Sequence, residues 1–248
     1  SSNTDTMTVT ITITGANDAP TITASDNTGA VTEDAGTTTA SDTLVFTDDD
    51  TEDTTLAWSM SGATDNGATQ TLAGTYGSLV VTEASGAWTY TIDNADSDTT
   101  GIDAGETPTD AFTVTGTDSN GGSDTETVTI TITGANDATS AGSDQTGAIT
   151  EDASTSTATG TVAGTDDDTD AAITYAAGST AGTYGSLALT TSSGAWTYTL
   201  DNADADTTAL DADDSVSDAF TITATDSDQS SSNTDTMTVT ITITGAND

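Results

Sequence analysis

Two carboxylate runs in the chain have the spacing of a cation site. Asp48-Asp49-Asp50-Thr51-Glu52 follows the apolar Leu44-Val45-Phe46, and Asp166-Asp167-Asp168-Thr169-Asp170 takes the same place after Thr161-Val162. Acids at every second position across a turn aim several oxygens at one centre. That suits a hard cation such as Ca2+, which takes roughly six to eight oxygen ligands. The helix-flanked calcium loop is excluded, because its sixth position would be Asp53 or Ala171 where Gly is required. Its twelfth would be Ser59 or Ala177 in place of Glu, and no helical periodicity flanks either run. Further acids recur in order. Glu33-Asp34 and Glu151-Asp152 precede the runs, while Asp118-x-Asn120 and Asp226-x-Asp228 follow them. A Gly-Ala-Asn-Asp phrase closes at 15–18, 134–137 and 245–248 and contributes Asn17, Asp18, Asn136, Asp137, Asn247 and Asp248. Two plainer readings compete: solvated acidic turns, and adaptation to high salt. The second predicts acids spread over every strand face, whereas these cluster near turns.

Those motifs recur because the chain repeats itself. Ser1 to Asp18 returns unchanged at Ser231 to Asp248, and a diverged version occupies Ser123 to Asp137. Thr75-Tyr76-Gly77-Ser78-Leu79 returns at 183–187, Ser85 to Thr91 at 193–199, and Asp93-Asn94-Ala95-Asp96 at 201–204. The first copy carries ten extra residues between Asp53 and Tyr76, and the second carries three after Asp226. Both fall in Gly-, Ser- and Thr-rich stretches and read as surface-loop differences. Residues 1–18 are then the closing strand and linker of a preceding repeat, 19–137 the first full domain and 138–248 the second. Tandem arrays of this kind serve reach, stiffness or display more often than chemistry.

Composition narrows the functions available. The chain has no Lys, Arg or His against 41 acidic residues, a formal net charge of −41. Side-chain salt bridges are impossible, and nothing can neutralise a phosphate backbone, so nucleic acid is excluded as a partner. Crowded carboxylates repel one another and oppose compaction unless ions from solution intervene. Without cysteine, no disulfide offsets that repulsion. No apolar run approaches membrane-spanning length, so membrane insertion is not expected. No signal peptide begins the chain, and because the sequence starts mid-domain that says nothing about secretion.

Hydrophobic residues make up 32% of the chain and aromatics 4%, which leaves only a thin core. Periodicity nevertheless specifies strands. Met7, Val9, Ile11 and Ile13 alternate with threonines, as do Val128, Ile130 and Ile132, and Met237, Val239, Ile241 and Ile243. Trp88-Tyr90-Ile92, Trp196-Tyr198-Leu200, Phe112-Val114 and Phe220-Ile222 follow the same period of two. One face is buried and the other is wet, with β-branched Thr on the wet side. The chain is all-β. The paired aromatics read as core rather than as a sugar-stacking platform, and Trp58, with Tyr175 nearest to it in the second copy, reads likewise.

The phrases Val-Thr-Ile-Thr-Ile-Thr-Gly-Ala-Asn-Asp-Ala-Pro (9–20), Tyr-Gly-Ser-Leu and Gly-Ala-Trp-Thr-Tyr-Thr-(Ile/Leu)-Asp-Asn-Ala-Asp resemble the VCBS-type repeats of giant bacterial surface adhesins. More distantly, Glu-Asp, then Asp-x-Asp, then an Asp before a closing Asn-Asp-x-(Pro) linker resembles cadherin repeats. The resemblance implies tandem immunoglobulin- or cadherin-like β-sandwich domains in a linear array, with Ca2+ held between successive domains. Carried over by motif, one junction gathers Glu33, Asn136, Asp137, Asp166, Asp168 and Asp226. The preceding one uses Asn17, Asp18, Asp48, Asp50 and Asp118, and Glu151, Asn247 and Asp248 hold matching positions in the second copy. Asp93, Asp96, Asp201 and Asp204 match a further acidic cadherin motif poorly. Pro20 sits where the linker pattern expects it, but the second junction reads Asn-Asp-Ala-Thr, which predicts a less rigid connection.

The expected function is therefore structural: a calcium-stiffened extender segment of a secreted surface adhesin, extracellular, with neighbouring repeats of its own polypeptide as partners. The rival is the repeat subunit of a self-assembling extracellular filament or sheath, in which a terminal strand such as Met7 to Ile13 completes another chain's sheet. An enzyme is not expected, since repeated carboxylate sites without His, Lys, Arg or Cys support no familiar catalytic arrangement.

Overall fold

A computed structural model describes residues 1–50, 52–169, 172–226 and 233–247. The chain forms two compact units, residues 1–93 with 108–132, and residues 94–107 with 133–248. Among the described residues almost all regular structure is strand. The one helix, α1 (Ser97–Thr100), is a single turn capped by the Asp96 side chain, and no helix is long and apolar enough to cross a membrane.

The first unit is built from two main sheets. In one, β2 (Thr28–Thr32), β11 (Ser123–Thr133), β10 (Thr109–Thr117) and β5 (Ala57–Met60) lie side by side in that order. The other runs β3 (Thr39–Thr43), β9 (Ala87–Ile92), β8 (Gly77–Thr82), β7 (Thr69–Ala73) and β6 (Thr64–Asp65). A short antiparallel pair, β1 (Thr21–Thr23) with β4 (Val45–Thr47), completes the unit. Inward residues of the two sheets meet in the middle: the Tyr90 ring of β9 lies 6.0 Å from the Phe112 ring of β10.

The second unit repeats this plan. Its sheets are β12 (Gln145–Thr150), β18 (Thr234–Thr244), β17 (Ser215–Asp226) and β14 (Ile173–Ala177), facing β13 (Thr157–Thr161), β16 (Ala195–Leu200) and β15 (Gly185–Leu189). The Tyr198 and Phe220 rings are 5.9 Å apart across the core, and a bridge between Ser140 and Thr165 stands in for the β1–β4 pair. β18 is antiparallel to β17 over eleven residue pairs and parallel to β12 over six. It is the best-held strand of the unit.

The Thr-Ile alternation accounts for this architecture. In β18 Met237, Val239, Ile241 and Ile243 are buried, while the threonines between them face outward or to the rim. Trp58, Trp88, Tyr90, Trp196 and Tyr198 are all 2% exposed or less, so the aromatics pack the core. The Thr-Glu-Asp-Ala phrase has a local cause as well. Asp34 and Asp152 are the only non-glycine residues at positive φ among those described, at 51° and 53°. Aspartate tolerates this left-handed turn better than most residues, and it lets the preceding glutamate turn inward.

Two sequence expectations change. The ten-residue difference between the copies is not a plain loop but largely the β6–β7 hairpin, which adds two strands beside β8. Asn66-Gly67 makes its turn, with Gly67 at φ 93° and its N–H donated to Asp65 Oδ1. The segment Met7–Ile13 is not a strand. Its apolar side chains are 71–91% exposed, although an identical sequence forms buried β18. Alternation states which face a strand would bury, but a strand forms only beside partners, and this segment has none among the described residues. The three-residue difference after Asp226 lies outside the described residues.

Candidate metal centres

The two acidic runs fold alike. In the first unit the Asp50 N–H is donated to Asp48 Oδ1 (2.9 Å), and the linker N–H of Asp18 is donated to Asp50 Oδ2 (2.8 Å). In the second unit the Asp168 N–H reaches Asp166 Oδ1 (3.2 Å), and the Asp137 N–H reaches Asp168 Oδ2 (2.9 Å). The Asp-x-Asp turn thus clamps the Asn-Asp linker through its backbone, and leaves Asp48 Oδ2 in one unit and Asp168 Oδ1 in the other shielded from solvent.

Around the first clamp, carboxylate oxygens of Asp48, Asp53 and Asp118 all lie within 4.8 Å of one another. Asp53 and Asp118 are buried. Asp53 accepts from Ser119 Oγ (2.5 Å) and Asn120 Nδ2 (3.3 Å). Asp118 accepts from Asn17 Nδ2 (3.1 Å) and from the N–H groups of Asn120 and Gly122. Asn17, Asp18, Asp48, Asp50 and Asp118 are therefore brought together within this unit.

The second clamp gathers Asn136, Asp137, Asp166, Asp168 and Asp226. Asp168 and Asp226 are 5% and 2% exposed. Asn136 Nδ2 donates to the Asp137 carbonyl (2.6 Å), as does Asn233 Nδ2. Asp166 Oδ2 accepts from Thr139 Oγ1 (2.7 Å), and Asp103, also buried, takes a long bond from Thr169 Oγ1 (3.4 Å). Glu33 is buried in the first unit. Glu151 is buried and accepts from the Ala246 N–H (3.2 Å), one residue before Asn247. Asp248 lies outside the described residues, as do Asp170 and Asp228.

Sequence reasoning missed Asp53 and Asp103. Asp53 has no acidic counterpart, the second copy having Ala171, so the repeat offered no cue. Asp103 did leave a signal, since Ile102-Asp103-Ala104 returns as Leu210-Asp211-Ala212.

The fit of a cation rests on oxygens that have nothing else to bind. Asp48 Oδ2, Asp168 Oδ1 and Asn136 Oδ1 are shielded from solvent and accept no hydrogen bond. Leaving a buried carboxylate oxygen without a partner is costly, and this chain has no cationic side chain to supply one. The donor set is all oxygen, from carboxylates, amides and linker carbonyls, which selects Ca2+ or a similarly hard ion over a soft metal. Asp48, Asp53, Asp118 and Asn17 would hold it in the first unit, and Asn136, Asp166, Asp168, Asp226 and Asp103 in the second.

The two centres differ in electrostatics. Burial works against the charge of Asp118, but the Asn17 amide and the N–H groups of Asn120, Gly122 and Gly121 outweigh it, holding its carboxyl below the usual range. Asp168 is pushed up, first by burial and then by the charges of Asp166, Asp103 and Asp226, against one helping N–H from Asp137. In chelator, a depressed Asp118 contributes stability above the ordinary carboxylate pKa of about 3.9, lost as pH falls through its folded value. A raised Asp168 does the reverse, contributing stability below about pH 3.9 that is lost as pH climbs through its folded value. Asp168→Asn should therefore unfold at higher urea than the parent at pH 7 in EDTA, and Asp118→Asn at lower urea. Urea titrations of both variants in EDTA check this; the same sign of change for both would contradict it.

Sequence and structure comparisons agree with this architecture. The family model described as a bacterial cadherin-like domain matches residues 17–134 and again 136–245. Mouse cadherin-23 EC22–24 is similar in structure at TM-score 0.50 and 18% identity, over 93% of this chain and 67% of that one. Human mucin-like protocadherin EC1–2 has TM-score 0.50 and 14% identity, over 91% of this chain and 99% of that one. No individual curated protein matches the chain in sequence. At these identities the solved structures establish the fold, two tandem cadherin-like β-sandwiches.

Proposed function

This chain belongs to the bacterial cadherin-like domain family, and we propose that it is a calcium-stiffened extender segment of a large secreted surface adhesin. Domains of this kind are typical of extracellular adhesion or structural proteins. The observation that carries the reading is the set of solvent-shielded Asp and Asn oxygens at both Asn-Asp linkers, in a chain with no cation of its own. Each Asp-x-Asp turn already grips its linker through a backbone N–H, so an ion bound there couples linker to domain. Residues 1–18 are then the end of a preceding repeat, with 19–137 and 138–248 as successive extender domains and neighbouring repeats as the natural partners.

Affinities typical of extracellular modules, about 10⁻⁴ to 10⁻³ M, would leave such sites empty in a low-calcium cell and filled outside it. On this reading the ligand-binding domains lie elsewhere in the polypeptide, and the role of this segment is structural rather than catalytic. Spin labels on cysteines introduced at the exposed Ser61 and Thr180, one in each unit, test the stiffening. The distance distribution should be broad in EDTA and should narrow to a single peak in millimolar Ca2+, but not in Mg2+. Equal widths in EDTA and Ca2+ would sink the proposal.

A further inference from the structure

Of the ten asparagines in the chain, only Asn66 and Asn120 precede glycine. A glycine N–H, with no side chain beside it, can close on the side-chain carbonyl carbon of the residue before it. Asn120-Gly121 lies in the turn between β10 and β11, against the first metal centre. Asp118 Oδ1 accepts from the Asn120 N–H (2.8 Å) and the Gly122 N–H (2.9 Å), and the Gly122 carbonyl accepts from the Asp118 N–H (2.9 Å). A side chain at Gly122 would collide with Asp118 and Asn17, whereas one at Gly121, which stands at φ 95°, would meet nothing within 4 Å. The turn is thus fastened on either side of the pair and open at the place where a ring would form.

The two Asn-Gly pairs are held differently. Asn120 is exposed, and its amide makes one long bond, 3.3 Å to Asp53 Oδ2. The Gly121 N–H lies toward Asp118, a carboxylate already shared by two other N–H groups. The Asn66 amide donates to Thr71 Oγ1 (3.0 Å) and to the Thr64 carbonyl (3.5 Å), and the Gly67 N–H is committed to Asp65 Oδ1 (2.7 Å).

We propose that Asn120-Gly121 is a self-modifying site that places a fourth carboxylate in the first metal centre. The Gly121 nitrogen gives up its proton to solvent and bonds to Asn120 Cγ. The Cγ–Nδ2 bond breaks and ammonia leaves, closing a five-membered imide. Water then adds to one of the two imide carbonyls and the ring C–N bond breaks. Opening one way gives aspartate and the other gives isoaspartate, each with a free carboxylate at position 120. One water is consumed and one ammonia released, with no oxidant or cofactor. Placing both reacting groups on adjacent residues replaces a bimolecular encounter with a unimolecular closure.

The product changes what Asp53 faces. Where the Asn120 amide donated, one carboxylate now stands against another, and the chain has no cationic side chain to offset it. Without a cation the first unit loses stability. With one, the additional charged oxygen strengthens the site, because ligand charge tunes affinity at oxygen sites of this kind. The second copy has Asp228 at the matching place of its phrase, so reaction at Asn120 brings the first copy to the composition with which the second is encoded. The gain in cation affinity rests on the calcium reading; the chemistry and the loss without a cation do not.

The folded full-length chain is incubated in mildly alkaline buffer with EDTA, digested with pepsin in acid and read by peptide mass. The expected result is a gain of one mass unit in the peptide carrying Asn120, with isoaspartate in part of the product, several-fold faster than in the peptide carrying Asn66. In urea, where the fold no longer separates them, the two should convert at similar rates. Asn120→Gln should leave its peptide unchanged while Asn66 still converts. Asn120→Asp, made directly, should melt the first unit several degrees below the parent in EDTA and respond to Ca2+ at several-fold lower concentration. An Asn120 that outlasts Asn66 in the folded chain would overturn the proposal, as would an Asn120→Asp chain that melts with the parent in EDTA. Conversion and the loss in EDTA without the tighter Ca2+ response would support the modification and sink the calcium reading alone.

Discussion

Adding 10 mM Ca2+ to the chain in chelator-treated buffer is expected to raise its melting temperature by about 10 °C or more, with matched ionic strength in NaCl or Mg2+ giving much less. At affinities of about 10⁻⁴ to 10⁻³ M that concentration is roughly ten to a hundred times Kd. Binding confined to the folded state then adds about 1.4–2.7 kcal/mol per ion. A domain of this size shifts by roughly 4 °C for each kcal/mol, so one ion in each unit at the tight end of that range, or two at the loose end, gives the effect. Generic screening of a −41 chain also stabilises it, which is why the salt control is needed. The two units allow a sharper form of the test. Asp48→Asn should weaken the calcium response of the first unit's transition only, and Asp168→Asn that of the second, since each contributes a shielded oxygen to its own unit's cluster alone. Calorimetry of the parent and both variants reads this directly. Identical melting in Ca2+, Mg2+ and EDTA would leave the acidic turns as solvated loops.

How much of this the sequence discloses depends on the range over which each feature is determined. The Asp-x-Asp turns are legible because their geometry is local: residues two apart across a turn share one carboxylate and one N–H. Strand faces are legible for the same reason, and β9, β16 and β18 bury the residues their alternation assigns. Long-range convergence is not written in any window. Asp53 joins Asp118 only after β5 and β10 pair, and Asp103 nears Thr169 across more than sixty residues. The segment Met7–Ile13 shows the complementary limit, since one sequence is a buried strand at one place and exposed at another. The acidity itself concealed a further feature. With 41 carboxylates to distribute, Asp110 and Asp218 pass as two more surface acids, yet both stand in the inward phase of their strands, two residues before Phe112 and Phe220.

Those two buried aspartates carry the other large expected effect, one independent of calcium. Asp218 is 3% exposed and accepts from the Thr183 N–H (2.7 Å), the Tyr184 N–H (3.1 Å) and the Tyr198 hydroxyl (2.8 Å). Asp110 repeats the arrangement with the Thr75 and Tyr76 N–H groups and the Tyr90 hydroxyl, at 2.8, 3.1 and 2.8 Å. One inward carboxylate thus ties the Thr-Tyr-Gly turn before β8 or β15 to the facing sheet, through a tyrosine with no solvent exposure. Nothing positive is near, so three donors do the work an ion pair would do elsewhere. Asp218→Ala orphans all three, at about 1–3 kcal/mol for each buried group left unsatisfied, so a loss of about 4 kcal/mol is expected. That would melt the second unit some 15 °C or more below the parent, in EDTA and in Ca2+ alike. Tyr198→Phe removes one donor and should cost only about 1 kcal/mol. Combined with Asp218→Ala it should cost less than the sum, because the partner is already gone. Burial first, and then the hydrogen bond to the aspartate, pushes both phenols far above their ordinary value. Their protonated form belongs to the folded state, so the stability they contribute is whole below about pH 10 and is lost as pH rises beyond it. Urea midpoints of parent and Tyr90→Phe/Tyr198→Phe from pH 8 to 11 should therefore converge at the alkaline end. Additive single-variant losses, or an Asp218→Ala chain that melts with the parent, would show that the carboxylate is not the anchor this geometry makes it.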